Sequence, residues 1–101
     1  MAGAFNRSES SGQDLDDIFA RVAEDNGLGV AVAQLERLEK SLDRLAAFPQ
    51  LDRARRDLGE NTFTLPVRPW VIIYDLVEGD VEVLRIVDGR RDLSALLDEP
   101  R

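Results

Sequence analysis

The period of the apolar residues changes once along this chain, near residue 60, and that change limits the fold to a few architectures. Before it the spacing is helical. Leu15, Ile18, Phe19, Val22 and Ala23 recur at i, i+3, i+4, i+7 and i+8, which makes one amphipathic stripe. Val32, Leu35, Leu38, Leu42 and Leu45 form a second, with Glu36, Glu39, Lys40, Asp43 and Arg44 toward the opposite side. After the change the runs are strand-like: Thr62–Val67, Trp70–Val77 and Val81–Val87. Two helices followed by a meander predict an antiparallel sheet with the helices packed on one face, an α+β domain.

Local signals set the expected boundaries. Ser10 with Gln13 fits a capping box, and Asp14, Asp16 and Asp17 fall in the first turn, where the helix dipole favours acid. Asn26-Gly27 ends the first helix, with either residue able to take the positive-φ cap. The second helix starts near Gly29 and stops at Pro49. The link Asp25–Leu28 is short enough to force an antiparallel helical hairpin. Leu51–Gly59 reads as a loop. Pro69 marks a break or a strand start, and Glu78-Gly79-Asp80 a turn. The near-continuous apolar run Trp70–Val77 is that of a strand buried on both faces. The helices cover one side of the sheet, so the other side is expected to need a second polypeptide over it. Residues 1–8 read as either an edge strand or a disordered lead. Asp92–Leu97 reads as a last helical turn or a tail.

At 101 residues the whole chain, 1–101, is expected to be one domain, burying roughly 60–65% of its unfolded surface. It has no cysteine and no histidine, so no thiolate metal site, no disulfide framework and no imidazole base are available. No cofactor is expected, and a reducing cytoplasm is the expected compartment. The longest apolar stretches, Val30–Ala33 and Trp70–Tyr74, fall far short of the roughly 20 residues that a membrane-spanning helix needs. The N-terminal residues lack the pattern of a secretory signal. Net charge is −7, and residues 1–48 carry 5 basic against 9 acidic groups. A chain that grips nucleic acid by itself needs a basic excess that is missing here.

The same segments resemble the ParE/RelE toxin superfamily, specifically its ParE-like branch. Gln13-Asp14-Leu15-Asp16-Asp17-Ile18-Phe19 with Val22-Ala23-Glu24-Asp25-Asn26 is similar to the first helix of those proteins. Leu42-Asp43-Arg44-Leu45-Ala46-Ala47-Phe48-Pro49 resembles the end of the second. Leu65–Tyr74 resembles the central strands, and Val81–Leu93 the closing strand and tail. The resemblance spans about residues 5–97, and it is the series of four segments that is specific. It implies a β-α-α-β-β-β topology with residues 5–8 as the edge strand. It also implies a type II toxin, assembled with a ParD-like or other antitoxin whose C-terminal segment neutralises it. DNA gyrase is the implied target, and operator DNA is reached through the antitoxin alone. Where the family often carries His before the glycine after the last strand, this chain has Asp88.

Two alternatives stay open on sequence alone. Ribonuclease relatives cleave messenger RNA with clustered basic residues and a Tyr or His near the C-terminus, because the 2′-hydroxyl must lose a proton and the phosphorane charge must be stabilised. This chain offers one Tyr, inside a strand, and no His. The other alternative is a degenerate, non-toxic member that binds its partner alone. The candidate partner-binding residues are Trp70, Tyr74, Arg85, Arg90, Arg91, Leu93, Leu96 and Leu97. Trp70 is weighed as core more than anchor. Arg85 alternates with Val81, Val83 and Val87 and so points at a partner or a buried carboxylate; Arg90-Arg91 is as readily a salt-bridged corner with Asp88 and Asp92. The pairs Asp16-Asp17 and Glu24-Asp25 are helix-end charges, not an acid/base dyad.

Overall fold

The computed structural model describes residues 5–48 and 53–90. Strand β1 (Phe5–Arg7) leads directly into helices α1 (Glu9–Asn26) and α2 (Leu28–Ala47). Strands β2 (Arg53–Ala54), β3 (Thr62–Val67), β4 (Trp70–Val77) and β5 (Asp80–Asp88) follow. The sheet runs β1-β5-β4-β3-β2. Its body is the expected antiparallel meander of β3, β4 and β5. The edge strand β1 exists, but it pairs parallel to β5, with Phe5 opposite Val81 and Arg7 opposite Val83. The segment expected to be pure loop contributes β2, a two-residue antiparallel rung on β3.

The helix starts differ from expectation by two residues or fewer, for identifiable reasons. Ser8 caps α1 in place of Ser10: its Oγ accepts the Ser11 backbone N–H at 3.0 Å. The same hydroxyl donates to the Leu84 carbonyl at 2.7 Å, and the Ser8 N–H donates to Val83 at 2.9 Å. One serine therefore caps the helix and ties it to β5. The buried Ser11 returns a hydroxyl bond to the Ser8 carbonyl at 2.9 Å. Ser8→Ala is expected to cost about 1–2 kcal/mol, read as a lower urea midpoint at unchanged m-value; a loss below a few tenths would contradict the cap. Gly27 alone joins the helices at φ 94°, with its N–H on the Ala23 carbonyl.

The core lies between the helices and the sheet. Leu15, Ile18 and Val22 of α1 and Ala31, Leu38, Leu42 and Leu45 of α2 pack against Ile72, Tyr74, Val81, Val83 and Ile86. The buried stripe of α2 thus begins at Ala31. Val32, assigned to it from the spacing, is 41% exposed.

The second face of the sheet is not bare. Ile73, Leu84 and Val87 are buried there, with Leu58 and Val71 packed against them. The cause is an irregularity in the β4–β5 pairing: Tyr74 faces Val83, but Ile73 faces Arg85, so Leu84 is the extra residue of a bulge. The bulge puts Leu84 beside Ile73 and Val87. It also brings Ile86, not Arg85, into line with Val81 and Val83. The alternation that grouped Arg85 with Val81, Val83 and Val87 is broken at that point. The expectation that a second polypeptide must clothe this face is corrected accordingly.

Candidate functional site

The sequence candidates separate once they are placed. Tyr74 is fully buried and stacks on Phe63, its cross-strand neighbour, with ring centroids 5.5 Å apart. It belongs to the core and presents nothing to a partner in this conformation. Trp70, the first residue of β4, is 9% exposed and also joins the core. Arg85 meets the carboxylate that was one of its two expected fates. Its Nε donates to Asp14 Oδ2 at 2.8 Å and its Nη2 to Oδ1 at 3.2 Å. Arg90 pairs with Asp88, as the corner reading anticipated. Arg91, Leu93, Leu96 and Leu97 lie outside the described residues.

Asp14 does more than pair with Arg85. Its Oδ2 also accepts the Ile86 backbone N–H at 2.9 Å, so one carboxylate pins α1 to β5 on both the side-chain and main-chain level. The Asp14 and Arg85 side chains are 13% and 18% exposed. Beside this clasp, between α1 and the end of β5, is a cavity of about 140 Å³. Asp17, Arg21, Trp70 and Asp88 line it with the clasp itself. Two shallower concavities adjoin. One runs over Arg68, Pro69 and Gly89, the other over Asp25, Val30 and Gln34. Trp70 and Asp88 line all three concavities.

The electrostatics of this surface are mixed. Asp88 accepts the Arg90 backbone N–H at 2.9 Å and the guanidinium at 3.1 and 2.9 Å. The guanidinium hydrogen bond, then the backbone one, then the charges of Arg90 and lastly Arg21 hold the Asp88 carboxyl down at about 2. A carboxyl depressed in the folded state stabilises it above the ordinary carboxylate range, and that contribution is lost as pH falls from about 3.8 through about 2. A carbon-13 titration of Asp88 should give a midpoint near 2. Arg90→Ala should move that midpoint back toward 3.8; an unmoved midpoint would refute the cause given. Arg21 and Arg68 are exposed and make no hydrogen bond or ion pair among the described residues.

One atom on this surface is anomalous. The indole Nε1 of Trp70 is buried and has no hydrogen-bond acceptor among the described residues. Such a donor costs about 1–3 kcal/mol relative to a satisfied one, and buried polar groups are otherwise almost always paired. Sequence reasoning missed Asp14 and Arg21 as members of the site. Asp14, Asp17 and Arg21 stand at i, i+3 and i+7, so they share a helix face, and that was the available signal. No sequence signal marks an orphaned indole.

Comparison with known proteins places the chain in a family. Residues 7–93 match the profile of the ParE toxin of the type II toxin–antitoxin system parDE. Toxin ParE3 of Caulobacter vibrioides is 46% identical over 95 residues, which is 94% of this chain and 95% of that protein. Among solved structures, the fold resembles a chain of the chromosomal ParDE system from P. aeruginosa at TM-score 0.74 and 17% identity, covering 86% of this chain and 96% of that one. It also resembles a chain of the intact E. coli RelBE toxin–antitoxin complex at TM-score 0.64 and 14% identity, covering 89% and 100%. At those identities the structural likenesses speak to the fold, while the profile and the curated relative speak to descent. The chain belongs to the ParE toxin family of type II toxin–antitoxin systems.

Proposed function

We propose that this chain, acting as one domain, inhibits DNA gyrase by binding it stoichiometrically and is neutralised by a cognate antitoxin, ParD-like or of another type. The observation that carries the reading is the 46% identity to a ParE toxin across nearly the full length of both chains. On this reading the protein works in the cytoplasm as a hetero-oligomer with its antitoxin and meets operator DNA through the antitoxin alone. Among the described residues no helix is long and apolar enough to cross a membrane.

Two observations favour binding over RNA cleavage. The chain has no histidine, and its one tyrosine is sealed in the core, so the usual groups for taking a proton from a 2′-hydroxyl are absent or inaccessible. The surface around Trp70 has the anatomy of a protein interface instead, with an aromatic and proline floor and a rim of both charges. The purified chain titrated into a gyrase supercoiling reaction should inhibit it near equimolar ratio, and added antitoxin should restore activity. Unimpaired supercoiling at stoichiometric excess would overturn the proposal. Ribosome-dependent transcript cleavage in the same preparation would move the chain to the ribonuclease reading.

A further inference from the structure

We infer that Trp70 Nε1 is the docking donor of this surface, and that the antitoxin polypeptide seats an oxygen acceptor on it, most simply a backbone carbonyl. This inference rests on the antitoxin reading above and names the spot at which that partner is held. The indole N–H is buried without an acceptor among the described residues, and the side chain that carries it lines three concavities. Nothing among the described residues accepts from it, although Ser8, Ser11, Asp14 and Asp88 each have their hydrogen bonds made. An unpaired donor in an otherwise satisfied neighbourhood is a place where an incoming group gains more than it would elsewhere on the surface.

The chemistry of the walls selects a peptide. Val30, Pro69 and the Trp70 ring give apolar contact, and Gln34 offers a side-chain amide. The formal charges cancel, with Arg21 and Arg90 against Asp25 and Asp88. A strongly anionic ligand such as a nucleic-acid backbone would face those carboxylates, and the chain as a whole carries −7. A neutral peptide carbonyl flanked by an apolar side chain suits both the donor and the walls. Tryptophan is enriched among the residues that anchor such interfaces.

Trp70 is the chain's one tryptophan, so its indole N–H gives a single resonance, readable in the wild-type protein without any substitution. The probe is the polypeptide encoded beside this chain, co-expressed and purified. When it binds, the indole N–H resonance should move downfield and its exchange with solvent should slow. Trp70→Phe, which keeps a ring and removes the donor, should weaken the complex about five- to tenfold by calorimetry once its thermal melt shows that it is folded. If the complex forms while the indole resonance stays put, the inference is overturned and the antitoxin reading survives. The inference is overturned in the same way if the indole N–H of the isolated chain shows a cross-peak to a bound internal water, which would already satisfy it. If the two polypeptides form no complex, the antitoxin reading itself fails and the inference goes with it.

Discussion

Asp14→Ala should lower the stability of this domain by about 3 kcal/mol, because it takes a hydrogen-bond partner from a half-buried guanidinium and from a buried backbone N–H at once. The Arg85 guanidinium loses a two-point carboxylate partner at 2.8 and 3.2 Å, and the Ile86 N–H loses its acceptor at 2.9 Å. Both side chains of the pair are less than a fifth exposed, so water cannot fully replace the lost contacts. A drop of this size corresponds to roughly 10–20 °C in Tm for a chain of this length. The wild-type pair need not be strongly stabilising in itself, since replacing both members of a buried ion pair is often neutral. Arg85→Met added to Asp14→Ala should therefore recover part of the loss and leave about 1–2 kcal/mol, the cost of the unpaired Ile86 N–H. Urea unfolding of the wild type, both single variants and the double variant checks this. An Asp14→Ala loss below about 1 kcal/mol, or additive single effects, would show that the clasp is open in solution.

The clasp also bears on function. Asp14 and Arg85 line the same cavity as Trp70, Asp17 and Arg21, so the contact that fixes α1 against β5 also shapes the cavity beside the proposed docking donor. A loosened clasp should weaken partner binding through geometry, without removing a residue that touches the partner.

Much of this fold was legible because it depends on period and on local chemistry. The stripe from Leu15 to Ala23, the run from Trp70 to Val77 and the Glu78-Gly79 turn carry their own signals, and the structure has α1, β4 and the β4–β5 hairpin there. What was not legible depends on long-range contacts. Ser10 and Ser8 are equally good caps by composition; the Leu84 carbonyl, 76 residues away, selects Ser8. The parallel pairing of β1 cannot be read from three residues, since strand direction is set by where the helical hairpin returns the chain.

The candidate site was legible only in pieces. Arg85 was expected to face a partner or a buried carboxylate, on a strict two-residue alternation that the bulge at Leu84 breaks, and it pairs with Asp14. One extra residue moves every later side chain to the opposite face, and a bulge has no signature in a run such as Val83-Leu84-Arg85-Ile86-Val87. Trp70 was named for its type, and its buried, unpaired Nε1 gives a physical reason that composition could not. Asp14 looked like one more first-turn acid, because a carboxylate that favours the helix dipole and one that grips a strand are the same residue in sequence.

Tyr74→Ala should be the most damaging single change in the described residues, costing about 4 kcal/mol. Tyr74 is the largest fully buried side chain, and it sits on the central strand between the helices and Phe63. Truncation removes the stack on Phe63 and leaves a ring-sized void among Ile72, Val83 and Leu42, none of which is more than 2% exposed. A close-packed interior relaxes only partly into such a space. For a domain whose whole stability is of order 5–15 kcal/mol, the variant should melt roughly 15–30 °C lower. A binding defect measured for it near its melting point would report unfolding, not a lost contact. Below that temperature, in the folded fraction, Tyr74→Ala should still bind the antitoxin with at least a large share of wild-type affinity, whereas Trp70→Phe should not. Calorimetry in the cold, at about 10 °C where folded proteins are near their most stable, beside a thermal melt separates the two cases. A Tyr74→Ala protein that melts like the wild type yet fails to bind would return Tyr74 to the interface and refute its assignment to the core.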